Sequence, residues 1–234
     1  MRAVDVSPLF SLLKREDLGE PHAILAGGER YFSPRFAAET DRLLEQELAG
    51  CDQRELVGLL RLVQGATAEF YGWVTGVDGD YAVLVASCGR QAVCLLRHGQ
   101  SIRFERCDAD RMTETFVARL PEVAVGRGEP ISVSHDEFHA RTRGTVMRRP
   151  GPTRPAGARR LDALLDAQRL HVAKVYAARR DDAGNRQRSE RWVTVLDLVD
   201  GRWTLTARRN WINARPGTPR LLAENLAELA RSIR

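Results

Sequence analysis

Two stretches of this chain follow one plan, although they lie far apart in the sequence. Residues 88–120 read CGRQAVCLLRHGQSIRFERCDADRMTETFVARL, and residues 200–229 read DGRWTLTARRNWINARPGTPRLLAENLAEL. Each begins at a Gly-Arg turn, alternates apolar and polar residues over two short strands, and ends in a capped amphipathic helix. A repeat of this kind constrains the fold because both copies must form the same local arrangement. The sequence therefore predicts a chain built from two related halves.

Two registers align the halves. The turn at 77–79 matches the turn at 199–201 more closely by letter. Aligning Gly89-Arg90 with Gly201-Arg202 instead leaves about the same chain length from the turn to the next helix in both halves. We favour this second register, because it gives each half the order helix, three or four antiparallel strands, helix.

The strand patterns predict how the halves combine. YAVLVAS at 81–87 is almost continuously apolar, which is typical of a central strand covered on both faces, and WINAR at 211–215 is interpreted as a short edge strand. The sheet of one half alone would not be well covered. We therefore predict an α+β fold with a central antiparallel sheet made of two quasi-twofold-related halves, with helices on one face and at the ends.

The predicted organisation has three parts that together form one compact unit. Residues 1–121 are the N-terminal half, 122–157 a connector rich in Pro and Arg, and 158–234 the C-terminal half. A short strand is expected at EPISVS, residues 129–134. Helix caps are predicted at Ser33, which precedes Pro34, at Asp108 or Asp110, and at Thr218.

Composition excludes several classes of protein. With 43% apolar and 29% charged residues the chain is globular rather than disordered, and its net charge of +5 favours weak attraction to acidic partners. No window approaches the 18 or so apolar residues of a membrane span. The four cysteines form no CxxC pair, which is typical of reduced thiols in a cytosolic protein. We expect a cytoplasmic location and no membrane contact.

Motifs for catalysis and metal binding are weak. HDEFH at 135–139 places two histidines four residues apart, as in some zinc sites, but no third ligand is evident. Cys88 at a tight turn lacks a nearby base with an orienting acid. We therefore predict no catalytic residue, no metal and no cofactor, and favour a binding role over an enzyme.

The connector supplies the main alternative function. Seven arginines and no acidic residue lie between 141 and 160, enough to neutralise several phosphates in a nucleic acid. The segment has no interleaved aromatic residues and no recognisable DNA-reading helix. Nucleic-acid binding through this loop is retained as the second hypothesis, and a solvated loop is the simpler interpretation.

The order of several soft motifs is similar to that of a known family. VSPLFSLL and LGEPHAIL come first, then FSPRFAAETDRLLEQELAG, AEFYGWV, VLVASCGRQAVCLL and ARLP. The connector then precedes VTVLDLVDGRW and NWINARPGTPRLLAENLAELARSI. This order resembles the EspG family of proteins associated with ESX, or type VII, secretion in actinobacteria, over nearly the whole chain.

The resemblance implies a fold and a function. It implies a quasi-twofold α+β structure and a cytosolic, non-catalytic chaperone that binds the exposed helical tip of the PPE partner in a PE–PPE heterodimer before export. The chain is shorter than mycobacterial relatives and its connector is unusually rich in arginine. The client is therefore either PPE-like or another ESX-type helical hairpin, and weak homodimer formation is left open.

Such a role requires apolar contact area with a polar rim. Tryptophan is enriched at interface centres, so the tryptophans of the second half are candidate anchors; alternatively they are core residues beneath the C-terminal helix. The long polar hairpin at 179–191 is the expected contact loop. The predicted partner-binding residues are Trp192, Trp203, Trp211, Arg188, Asn185 and Arg208.

Overall fold

A computed structural model describes residues 3–27, 37–139, 155–181 and 183–233. Its helices are α1 (Val6–Arg15), α2 (Ala37–Glu47), α3 (Gln53–Gln64), α4 (Met112–Val117), α5 (His135–His139), α6 (Ala156–Asp166) and α7 (Pro219–Arg231). Its strands are β1 (Val4–Asp5), β2 (Ala68–Gly76), β3 (Tyr81–Cys88), β4 (Gln91–His98), β5 (Ser101–Asp108), β6 (Ile131–Ser134), β7 (Arg169–Arg180), β8 (Arg186–Arg188), β9 (Val193–Leu198), β10 (Gly201–Arg208) and β11 (Trp211–Pro216). Short 3₁₀ turns follow α1, at Ala23–Leu25, and precede α4, at Ala109–Arg111.

These strands form one antiparallel sheet in the order β1-β5-β4-β3-β2-β7-β9-β10-β11-β6. The strands β2 and β7 pair at its centre, from Ala68 opposite Arg179 to Gly76 opposite His171. The short strand β8 pairs with the C-terminal end of β7. The α+β class and the central antiparallel sheet predicted from the sequence are confirmed.

The order of elements is the same in both directions from the β2–β7 pair. The strands β2, β3, β4, β5 and β1 correspond to β7, β9, β10, β11 and β6, while α3 and α4 correspond to α6 and α7. The β3–β4 and β9–β10 hairpins are equivalent; Gly89 lies in the first turn and Gly201 is the first residue of β10, with φ values of 59° and 117° that suit glycine. The hairpin of Gly89 thus corresponds to that of Gly201, as the favoured alignment has it, although the turns themselves lie at 89–90 and 199–200, two residues out of that register. The halves are related by an approximate twofold axis.

The repeated unit is longer than the sequence indicated. The predicted strand in the connector is present as β6, which pairs with β11 as β1 pairs with β5. The interpretation of WINAR as an edge strand was wrong, because β6 occupies the edge and β11 lies between it and β10. The connector thus contributes to the second half of the sheet, and α6 begins at Ala156, before the predicted boundary at 157.

Helices cover both faces of the sheet. The first face, as we name it, carries α1, α2 and α3, whose leucines pack against Leu84 and Phe104, and also α6, which packs against Leu196. The second face carries α4 and α7, which pack against Val83 and Val175. The expectation of helices on one face was wrong, because alternate residues of the middle strands are apolar on both sides and both sides need cover. The expectation that β3 is covered on both faces is confirmed.

Side-chain caps fix the starts of several helices. Thr218 accepts a hydrogen bond from the backbone N–H of Leu221, with Pro219 at the first helical position, as predicted. Asp108, rather than Asp110, accepts the capping bond at the turn before α4. The predicted cap at Ser33 lies outside the described residues.

A buried polar cluster joins the N-terminal segment and the β7–β8 hairpin to the sheet. Glu69 on β2 accepts a hydrogen bond from Arg186 of β8, and its Oε2 lies 3.3 Å from Nε2 of His22. His22 Nδ1 accepts a hydrogen bond from the backbone N–H of Ile24, and Arg186 Nη2 lies 3.2 Å from His22 Nε2. Burial by itself would raise the pKa of Glu69, but His22 and Arg186 outweigh it and the pKa lies below the ordinary 4.5.

The centre of the sheet can be tested at Gly72 on β2. A Cβ at position 72 would lie 2.5 Å from the carbonyl oxygen of Lys174, which is backbone and cannot rotate away. Gly72→Ala is therefore expected to lower the free energy of unfolding by about 1–3 kcal/mol, measured by urea denaturation. The matched control is Gly58→Ala on α3, where nothing lies within 4 Å and alanine should raise it by about 1 kcal/mol. A neutral or stabilising Gly72→Ala would contradict the close β2–β7 approach.

The buried cluster predicts a specific pH dependence. Because the folded-state pKa of Glu69 is depressed, its contribution to stability is present above the unfolded-state value and is lost as pH falls through the folded-state value. Glu69→Gln should lower the free energy of unfolding by about 1–3 kcal/mol near pH 7, with the difference from wild type shrinking below about pH 4. Urea denaturation between about pH 3 and pH 7 measures this difference in the free energy of unfolding.

The control is Glu224→Gln, which removes the carboxylate of the exposed Arg220–Glu224 pair and should lower the free energy of unfolding by less than about 1 kcal/mol. A difference that stays constant down to pH 3 would show that Glu69 is not the titrating group.

Candidate functional site

The first face of the sheet is open along its middle. The helices α1–α3 cover the strands of the first half and α6 covers those of the second, so the central strands carry exposed side chains between them. Trp73 on β2 is 42% exposed and Trp192, just before β9, is 44% exposed. With the partly buried Tyr176 of β7 they form a surface that we call the aromatic patch. Such large aromatic side chains are normally buried, and their clustering in the open is typical of a contact surface.

Ring contacts hold the patch together. The ring centroid of Tyr176 lies 6.4 Å from that of Trp73 and 6.2 Å from that of Trp192. Below it, Tyr176 stacks on the buried Tyr71 of β2 at 5.6 Å. Because Tyr71, Trp73 and Tyr176 stand on the paired strands β2 and β7 at the sheet centre, and Trp192 immediately precedes β9, the backbone of the sheet positions these rings.

Two cations contact rings of the aromatic patch. The ammonium nitrogen of Lys174 lies 5.7 Å from the ring centroid of Trp192, and the guanidinium carbon of Arg188 lies 5.2 Å from that of Tyr176. Both distances suit cation–π contact. Within the described ranges neither cation forms an ion pair, unlike Arg186, which bonds Glu69. The patch is therefore apolar at Trp73 and positive where the cations stand over Tyr176 and Trp192.

A cavity opens beside Trp73. It has a volume of about 390 Å³ and is lined by Ala23, Ala26, Trp73, Val74, Thr75, Asp80, Tyr81, Ala82, Arg97 and Gly99. Arg97 fixes the segment above it by donating to the carbonyl oxygens of Ile24 and Ala26, at 2.5 and 2.6 Å. The patch thus has a flat aromatic part and a concave part that can accept one or two apolar side chains.

A larger cavity, of about 730 Å³, lies on the second face between α4 and α7. Its walls include Leu120 and Ala223, and Arg202 reaches it from β10. Arg202 is engaged, since its Nε and Nη2 donate to Asp197 at 2.6 and 2.8 Å and Nη2 also donates to the carbonyl oxygen of Pro121. This cavity is separated from the aromatic patch by the sheet.

The structure divides the six predicted partner-binding residues among different places. Trp192 and Arg188 belong to the aromatic patch. Trp203 is 5% exposed and packs in the core with Leu161 of α6, on the opposite face from the C-terminal helix. Trp211 is exposed at the start of β11.

The remaining two predicted residues lie elsewhere. Arg208 forms an ion pair with Glu228 of α7, which places it on the second face together with Trp211 by strand alternation. Asn185 lies in the β7–β8 hairpin, where its backbone N–H and side-chain amide bond the carboxylate of Asp181. The six residues therefore do not form one surface.

Sequence reasoning missed three residues of the patch, namely Trp73, Lys174 and Tyr176. Trp73 and Tyr176 occur in ordinary strand patterns, AEFYGWV and VAKVYAA, in which any large apolar residue predicts burial. A signal was available in Lys174, which alternates with apolar neighbours and so marks the side of β7 that reaches solvent.

The other sequence hypotheses have these outcomes. The HDEFH segment does form a helix, α5, with the rings of His135 and His139 4.3 Å apart. No group of three or more His, Cys, Asp or Glu side chains suited to a metal ion occurs among the described residues. No helix in the same ranges has the length and apolar character needed to cross a membrane. Most of the arginine-rich stretch, 141–154, lies outside the described residues.

Comparison with known proteins assigns the family. The solved structure of the type VII secretion system chaperone EspG5 of Mycobacterium tuberculosis, in complex with the PE25–PPE41 dimer, matches with a TM-score of 0.68. The match covers 100% of this chain and 96% of that chain at 16% identity, which shows a shared fold. No curated protein matches. The EspG family model matches residues 5–228, nearly the whole sequence, and the chain therefore belongs to the EspG family.

Proposed function

We propose that this protein is a cytoplasmic, non-catalytic chaperone of type VII secretion that binds the exposed helical tip of a PPE-like protein in a PE–PPE pair. Family membership supports the class, and the EspG5 structure of the same fold contains a PE25–PPE41 dimer. The observation that carries the proposal for this chain is the aromatic patch. It is the place where the sheet presents exposed Trp73 and Trp192 between two sets of helices.

The patch has the physical properties that this role requires. A helical tip that is apolar would aggregate if left free, and rigid aromatic rings provide apolar contact area with little loss of side-chain entropy. The cavity beside Trp73 accepts an anchoring side chain, and the cations at the margin supply a polar rim. In this proposal the patch shields its client without a chemical step.

The proposal predicts which tryptophan substitutions abolish binding. Trp73→Ala and Trp192→Ala should each raise the dissociation constant for a PE–PPE pair from the same genome by about 30-fold or more, which is the effect of losing a hot-spot residue. Trp211→Ala, which removes an equally exposed tryptophan on the second face, should change it less than about threefold. Co-expression, affinity co-purification and titration calorimetry measure these effects, with thermal unfolding as a check on folding.

Two results would contradict the proposal. If the wild-type protein captures no PE–PPE pair from its own genome, the chaperone function is wrong. If Trp211→Ala abolishes capture while the two patch variants bind normally, the client binds the second face and the patch assignment is wrong.

A further inference from the structure

The charges at the aromatic patch indicate the chemistry of the client, an inference that rests on the proposed function. Lys174 and Arg188 are exposed and stand over the rings of Trp192 and Tyr176. Neither has a carboxylate partner within the part of the chain that the structure describes. The patch therefore presents two cations whose charge is balanced by solvent alone.

Covering this surface has an electrostatic cost. A client that is wholly apolar would remove water from both cations without replacing it, and burying a charge without a partner opposes binding. A carboxylate placed against each cation removes this cost and adds a charge-assisted hydrogen bond. The best-fitting client is therefore apolar where it covers Trp73 and acidic where it meets the two cations.

The neighbouring rings place both cations in one contact area. The rings over which the two cations stand have centroids 6.2 Å apart. One helix can present two carboxylates to such an area from positions i and i+4, which lie on the same face of the helix. At the other end of the patch the cavity beside Trp73 is lined by one carboxylate and one cation, Asp80 and Arg97, whose charges offset each other. The contact surface therefore has its positive end at Trp192.

We propose that the client tip is a helical segment whose apolar residues cover Trp73 and whose two carboxylates, one turn apart, pair with Lys174 and Arg188 beside Trp192 and Tyr176. A nucleic acid would also neutralise these cations. The patch, however, combines two cations with a cavity of about 390 Å³ beside Trp73, which suits an aliphatic or aromatic side chain better than a phosphate backbone.

The test uses fluorescein-labelled helical peptides of about 15 residues, stapled to fix the helix. They share one apolar stripe and differ at two positions, i and i+4, which hold Glu, Gln or Lys. Fluorescence anisotropy with the full-length protein should show the Glu peptide binding at least about tenfold more tightly than the Gln peptide, with the Lys peptide weakest. The advantage of the Glu peptide should shrink as NaCl is raised to about 300 mM.

Charge reversal tests the assignment to particular residues. In Lys174→Glu/Arg188→Glu the preference should invert toward the Lys peptide. The matched control is Arg103→Glu/Arg215→Glu, which makes the same change in net charge at two exposed arginines on the second face and should leave the preference intact. The single variants Lys174→Gln and Arg188→Gln, each expected to lose part of the preference, repeat the test with milder changes if the double variant unfolds.

Several outcomes would overturn the inference. These are equal binding of the Glu and Gln peptides, no binding by any peptide, or a Glu preference that survives charge reversal. Tighter binding of a single-stranded oligonucleotide, lost in Lys174→Glu/Arg188→Glu, would overturn it in favour of nucleic acid. Capture of a PE–PPE pair is measured separately, so capture that is indifferent to these charges leaves the proposed function standing while this inference fails.

Discussion

The pairing of β2 with β7 is the contact on which the rest of the structure depends. It joins the two halves into one sheet, and the close approach at Gly72 shows that the two backbones leave no room for a side chain there.

The β2–β7 pairing also explains why the aromatic patch lies where it does. On the first face each half places its helices over its own outer strands, so the line between the halves is left open. On the second face α4 and α7, which follow the last strand of each half, turn back and meet over the same line. One face is thereby closed at the centre and the other is open.

The twofold symmetry is broken at the open face, and this gives the patch its direction. Both halves supply aromatic rings, Trp73 from the first and Tyr176 and Trp192 from the second. The two cations that stand over these rings come from the second half: Lys174 lies on β7, and Arg188 lies on β8, which has no counterpart beside β2 among the described residues. Arg186, also on β8, donates a hydrogen bond to Glu69 in the buried cluster that anchors the hairpin, whereas Arg188 faces solvent. If both halves contributed the same side chains, the two ends of the aromatic patch would be alike. Here the end at Trp192 carries cations over its rings and the end at Trp73 does not.

Local patterns in the sequence predicted the features that depend on interactions between residues close together in the chain. The alternation of residues predicted the strands, Gly89 and Gly201 marked equivalent hairpins, and Thr218 predicted the start of α7, because each signal acts within a few residues. What failed depends on contacts between distant segments. WINAR could not be recognised as an inner strand because its outer neighbour, β6, is about 80 residues away in the sequence. The exposure of a tryptophan likewise depends on which helix reaches it, so Trp203 under α6 is buried while Trp73 is exposed, although both lie in strands with similar patterns.

The cations also bear on how an exposed aromatic surface stays soluble. Two flat aromatic patches meeting face to face would bury a large apolar area, which on its own favours association of the protein with itself. Such a dimer would enclose Lys174 and Arg188 from both copies, four positive charges, while the Asp80 carboxylate in each cavity is offset by Arg97 beside it. The desolvation cost of like charges opposes this contact, so the same two side chains that favour an acidic client disfavour a second copy. Homodimer formation, if it occurs, would then use a surface other than the aromatic patch.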